Sequence, residues 1–174
     1  MTIAELRDLF EYNRWAHEKT LDAAALLGPD RYGSAPDGSS VTLKDVLQKL
    51  LAEEVVWLSR WEGHSLAESP DYSECADTLA LMSRWKSLWN RQRRFVESLT
   101  EDDLGQPVSI RMNNGIEAVQ PLSDTMTHVL NQATYLRGEA ALLTRQLGGD
   151  AADADYFTYC LERGTDGTDA TITP

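Results

Sequence analysis

At 174 residues, 42% of them hydrophobic and 25% charged, the chain can bury a core of its own and has neither a disordered nor a membrane-protein composition. Its 28 acidic residues against 16 basic ones give a net charge of −12, a field that repels phosphate backbones and anionic lipid and so argues against nucleic acid or a membrane surface as a partner. No apolar run approaches the roughly 18 residues of a membrane span, and residues 1–8 lack a basic region followed by an apolar one, so a cytoplasmic protein is expected.

The first predicted helix covers residues 3–27. Ile3, Leu6, Phe10, Leu21 and Ala24 share one side of a 3.6-residue wheel, and Gly28-Pro29 ends it. A loop rich in Gly, Ser, Pro and Asp is expected from about 28 to 41, too polar to pack alone. Thr42, with Asp45 three residues on, then offers an acidic variant of the capping box. The second helix, about 42–62, carries Leu43, Val46, Leu47, Leu50, Leu51, Trp57, Leu58 and Trp61, and stops at Gly63. The third, about 75–99, carries Leu81, Trp85, Leu88, Trp89, Phe95, Val96 and Leu99. Trp57/Trp61 and Trp85/Trp89 are i,i+4 pairs, which read as bundle packing in preference to an aromatic cage. The run Arg91-Gln92-Arg93-Arg94 reads as a solvated helix face.

Between 105 and 121 the period changes to two. Val108 to Met112 and Ile116 to Val119 alternate around Asn113-Asn114-Gly115, which predicts a small hairpin. The fourth helix, about 121–147, has Pro121 near its first turn, Gly148-Gly149 after its end, and a stripe from Leu122 through Met126, Val129, Ala133, Leu136 and Ala140 to Leu147. A short amphipathic piece at 155–161 closes one end. The expected architecture is all-α: a four-helix bundle with a hairpin before helix four and a short C-terminal helix, one domain over 3–162, then a polar tail at 163–174. The long connections argue against a minimal up-down-up-down bundle. Cys75 and Cys160, far apart and without a Cys-x-x-Cys pair, read as reduced structural thiols.

Four segments together carry a family resemblance: Tyr12-Asn13-Arg14-Trp15-Ala16, the run from Leu50 to Leu58, the run His128-Val129-Leu130-Asn131-Gln132-Ala133-Thr134-Tyr135-Leu136-Arg137-Gly138, and the ending from Asp155 to Leu161. In this order the chain resembles the DinB/YfiT-like four-helix-bundle family of metalloenzymes. The resemblance implies a divalent metal held by three histidines, one on helix two eight residues before its tryptophan and two on helix four in His-x-x-x-His-Arg-Gly. Here those positions are Lys49, Gln132 and Leu136. A cationic lysine repels an ion, glutamine offers one weak neutral oxygen, and leucine offers nothing, so no bound metal and no cofactor are expected. Lys49 is expected to pair with Glu53 or another carboxylate.

Other polar residues face inward by the same wheels. Asn13 and His17 lie on the core side of helix one, Glu54 in the apolar stripe of helix two, and His128 in a row with Gln132 beside the stripe of helix four. His17, Glu54 and His128 could form a rearranged, carboxylate-containing metal site, or each could satisfy a neighbour within the bundle. The seven residues Lys49, Gln132, Leu136, Asn13, His17, Glu54 and His128 are therefore expected around one pocket. The resemblance implies a stress-associated binding protein whose metal site is lost, with a metal- or thiol-dependent transferase or isomerase with a rearranged site as the alternative. The resemblance also implies a homodimer, and the retained bundle allows a small-molecule ligand.

Overall fold

Local signals start most of the helices. In the computed structural model, which describes residues 1–64, 69–111, 115 and 117–165, helix α1 (Ile3–Leu26) begins at a reciprocal capping box. The Thr2 hydroxyl accepts the Glu5 amide at 3.2 Å while the Glu5 carboxylate accepts the Thr2 amide at 2.7 Å. Thr42 and Asp45 repeat that box at the start of α3 (Leu43–Trp61). Asp77 accepts the Ala80 amide at 2.8 Å and starts α4 (Thr78–Ser98), which moves the beginning of the third predicted helix from 75 to 78. A 3₁₀ turn, Asp102–Gly105, leads into an antiparallel hairpin of β1 (Pro107–Arg111) and β2 (Glu117–Pro121), with Ile110 opposite Ala118. The long helix α5 (Leu122–Gln146) follows directly. Asn113 and Asn114 of the expected turn lie outside the described residues.

The four long helices enclose one core of Leu47, Leu50, Leu58, Leu81, Met126 and Leu136 among others. Helix α1 packs against α4 and α5, and α3 packs against the same two. The pairs α1/α3 and α4/α5 therefore face each other across the diagonals of the bundle, which is what the long connections allow. The hairpin rests on α3 and α5 at one edge. Cys75 is buried in the core and Cys160 lies on α6 (Tyr156–Thr165); neither is in a disulfide. Among the described residues no helix is long and apolar enough to cross a membrane.

Two segments differ from the sequence reading. The stretch expected as a polar loop contains a short helix, α2 (Gly28–Tyr32), entered through Gly28 at φ +76°, a conformation that costs glycine little. It packs: Tyr32 is 1% exposed, and Arg31 donates to the Leu27 and Leu147 carbonyls at 3.0 and 3.2 Å, tying the ends of α1 and α5 together. A single aromatic anchor was masked by its polar neighbours. The terminal helix α6 runs to Thr165, beyond the expected end at Leu161, with Asp155 accepting the Thr158 amide at 2.9 Å; residues 166–174 of the expected tail lie outside the described residues.

No described residue hydrogen-bonds the buried Tyr32 hydroxyl. Tyr32→Phe removes an unsatisfied polar atom and is expected to leave the urea midpoint unchanged or raise it. Tyr32→Ala, which empties the ring's volume, should cost about 3–5 kcal/mol in the same titration, the range for aromatic-to-alanine changes in cores.

Candidate functional site

At the centre of the bundle the wheels place polar side chains from all four long helices. Asn13 and His17 come from α1, Glu54 from α3, Gln92 from α4 and Arg137 from α5; each is buried. Asn13 Nδ2 donates to Glu54 Oε1 at 3.0 Å and Gln92 Nε2 donates to Glu54 Oε2 at 2.7 Å, so each carboxyl oxygen receives an amide. Arg137 donates from one terminal nitrogen to Asn13 Oδ1 at 2.5 Å, with His17 Nε2 3.1 Å from the same nitrogen. Its other terminal nitrogen donates to Thr134 Oγ1 at 2.9 Å, and the guanidinium lies 5.5 Å from the centre of the Tyr12 ring.

The guanidinium is a charged donor, so His17 Nε2 is best assigned as the acceptor. The 3.3 Å approach of Glu54 Oε1 to that nitrogen is then a close contact without a proton. The ring proton belongs on Nδ1, which has no partner among the described residues, and the ring lies 4.5 Å from that of Trp85. Burial, and then the neighbouring Arg137, hold the His17 pKa well below the usual histidine value. Burial raises the Glu54 pKa, opposed by the amides of Gln92 and Asn13 and the charge of Arg137. The cluster is one near-neutral unit whose polar atoms answer mainly to one another, His17 Nδ1 alone among them being left without a partner among the described residues.

The structure divides the seven sequence-predicted residues among several places. Asn13, His17 and Glu54 meet in the network. Lys49 stands at the surface, its side chain 57% exposed, 3.9 Å from Glu53. Leu136 is fully buried in the core. Gln132 borders a void of about 10 Å³ with Leu50, Glu53, Glu54, Trp57 and Val129, space for one water at most. His128 is on the hairpin side, its ring 5.2 Å from that of Trp57, apart from the network. Among the described residues no three His, Cys, Asp or Glu side chains are placed to hold a metal ion, so His17, Glu54 and His128 do not assemble as one site.

Sequence reading missed Gln92 and Arg137 as members. Gln92 sits in the run read as a solvated face, yet it continues the spacing Trp85, Trp89, Val96 along the inner side of α4, while its neighbours Arg91 and Arg93 turn outward to Glu62 and Glu11. Arg137 falls between Ala133 and Ala140 on the α5 stripe, a charged residue in an apolar row. Both signals were present as interruptions of a period. The tryptophan pairs pack: Trp85 is wholly buried, and Trp61 donates to Thr125 Oγ1 at 3.0 Å.

Glu54→Ala strips the amides of Asn13 and Gln92 of their acceptor and removes the negative charge nearest Arg137, and is expected to cost about 3–5 kcal/mol in urea denaturation, as when one partner of a buried charge pair is removed. The pH dependence has two limbs. The folded His17 pKa lies below its ordinary 6.5, so its contribution to stability is present above pH 6.5 and is lost as pH falls through the folded value. The folded Glu54 pKa lies above 4.5, so its contribution is present below pH 4.5 and is lost as pH rises through the folded value. His17→Gln keeps an acceptor for Arg137 and should reduce the loss of stability that sets in just below pH 6.5, leaving the loss at lower pH that carboxylates such as Asp71 and Asp103 cause. A variant profile parallel to that of the wild type would disprove the linkage.

The sequence model of the DinB family matches residues 1–165. Protein DinB of Bacillus subtilis (strain 168) is 22% identical over 158 residues, covering 87% of this chain and 91% of that one. Among solved structures, a DinB-like protein from Bacillus cereus ATCC 10987 superposes with a TM-score of 0.71 at 19% identity, covering 86% of this chain and 95% of that one. A DinB-like protein from Bacillus subtilis, YjoA, does so with a TM-score of 0.61 at 13% identity over 81% and 92%. A bundle with this helix order, carrying a family match along nearly its whole length, leaves one conclusion: the chain belongs to the DinB family.

Proposed function

We propose that this protein is a stress-associated, cytoplasmic binding protein that keeps the DinB bundle without the metal chemistry the resemblance implies. One observation carries the reading. Of the three positions that correspond to histidine ligands, Lys49 is turned to solvent beside Glu53 and Leu136 is fully buried among apolar side chains. Gln132 alone offers a donor atom, beside a void the size of a water. A divalent transition metal needs three or four imidazole, thiolate or carboxylate donors, and this set supplies none of them. The residues do not fit the ion.

Homodimerisation is part of the same reading. Tyr135 and Leu142, seven residues apart on one face of α5, are 70% and 52% exposed, an apolar row suited to a second copy. Light scattering at micromolar concentration should return the dimer mass, and a monomer mass would remove this part.

Wild-type protein dialysed against a mild chelator is expected to carry far less than one equivalent of zinc or nickel by elemental analysis. One equivalent would overturn the reading in favour of a metal-dependent, thiol-transferase type of enzyme. Installing Lys49→His, Gln132→His and Leu136→His together should produce zinc binding and a zinc-dependent rise in Tm, since the helices that present the positions are intact.

A further inference from the structure

The hairpin leaves a concavity of about 510 Å³ over α3 and α5. Ile110 and Ala118 are cross-strand partners and so share one face of the hairpin; they line one wall, and Trp57 and His128 line another. The small Ala118 side chain opposite Ile110 helps leave that space open. Arg60, one turn beyond Trp57 on α3, reaches into the same space with its guanidinium 4.6 Å from the centre of the Trp57 ring.

Arg60 is unlike the other sheltered arginines. Arg14 and Arg91 reach carboxylates, and Arg137 sits in the central network. Arg60 is partly buried, and among the described residues no carboxylate or carbonyl meets its guanidinium. Glu62, two residues on, is already engaged by Arg91 at 2.6 Å. Burial lowers the Arg60 pKa, the mark of a cation that has lost water without gaining a counter-charge. In a chain of net charge −12, an unpaired sheltered guanidinium beside an apolar wall is an anion site waiting for a ligand. The one carboxylate of the lining is Asp124, exposed in the first turn of α5, where solvent weakens its repulsion.

We infer that this cavity binds a small planar aromatic carboxylate, its carboxylate paired with Arg60 and its ring against Trp57, His128 and the inner face of the hairpin. The planar body follows from the two aromatic rings and the flat hairpin face, and the single negative end from the single unpaired guanidinium. The inference names a ligand class for the binding protein proposed above and rests on that reading.

The test is calorimetric titration of the full chain with naphthoate and with its neutral counterpart naphthamide. Naphthoate is expected to bind saturably below millimolar concentration and the amide about tenfold more weakly, the margin of one charge-assisted pair. Arg60→Gln should reduce naphthoate to the amide's affinity and leave the amide unchanged. Asp124→Asn should tighten naphthoate without affecting the amide. No saturable heat at millimolar naphthoate overturns the inference, as does equal binding of acid and amide, a comparison that needs no variant to fold. Zinc analysis of the same preparation keeps the two readings apart. Metal-free protein that ignores naphthoate removes only this site, whereas metal-loaded protein removes the reading it rests on.

Discussion

A carboxylate at the middle of a helical bundle persists only where its oxygens are met by donors, and Glu54 draws those donors from two other helices. Asn13 crosses the α1/α3 diagonal to reach it and Gln92 comes from α4. Arg137 on α5 holds Asn13 in place from the far side. Each of the four helices thus has a fixed rotation and height relative to the others, because sliding any one by a turn, about 5.4 Å, would leave a buried polar group without a partner. Leucines alone would tolerate several registers. The network is where the bundle acquires one arrangement.

Most of the fold was legible because it rests on periodic and punctuating signals. Gly28-Pro29, Thr42 and Gly148-Gly149 stand where the helices start and stop, and the change of period after residue 105 marks the hairpin. What escaped was carried by single residues against their surroundings. Tyr32 is one aromatic among glycine, serine and proline, and Gln92 is one amide among arginines, so neither alters the local composition enough to be seen. Of the candidate site, the inward positions of Asn13, His17 and Glu54 could be read from helical wheels. Their partners could not, since a wheel gives a direction and says nothing of which of the other three helices lies there.

The same limit applies to the family positions. Counting from Trp57 and from Arg137-Gly138 locates Lys49, Gln132 and Leu136 in the chain, but spacing does not say how far inside the bundle each one sits. Lys49 reaches solvent and Leu136 does not, and between them Gln132 borders only a water-sized void. The methyl groups of Leu136 fill their place in the core, so it is closed there. The polar residues that point inward answer to one another.

The diagonal placement of consecutive helices bears on how the chain reaches this state. Helix α1 finds its neighbours in α4 and α5, the nearer of which begins more than fifty residues after α1 ends. On a ribosome α1 emerges before α4 and α5, with its leucines unmatched, and waits for those later helices before it can be enclosed. Contacts between segments this far apart in the chain form later than local ones and prolong the exposure of early apolar segments. The reciprocal capping box at Thr2 and Glu5 takes on a second role during that interval. It favours helical structure in α1 through bonds local to its first turn, before α4 and α5 are there to enclose it.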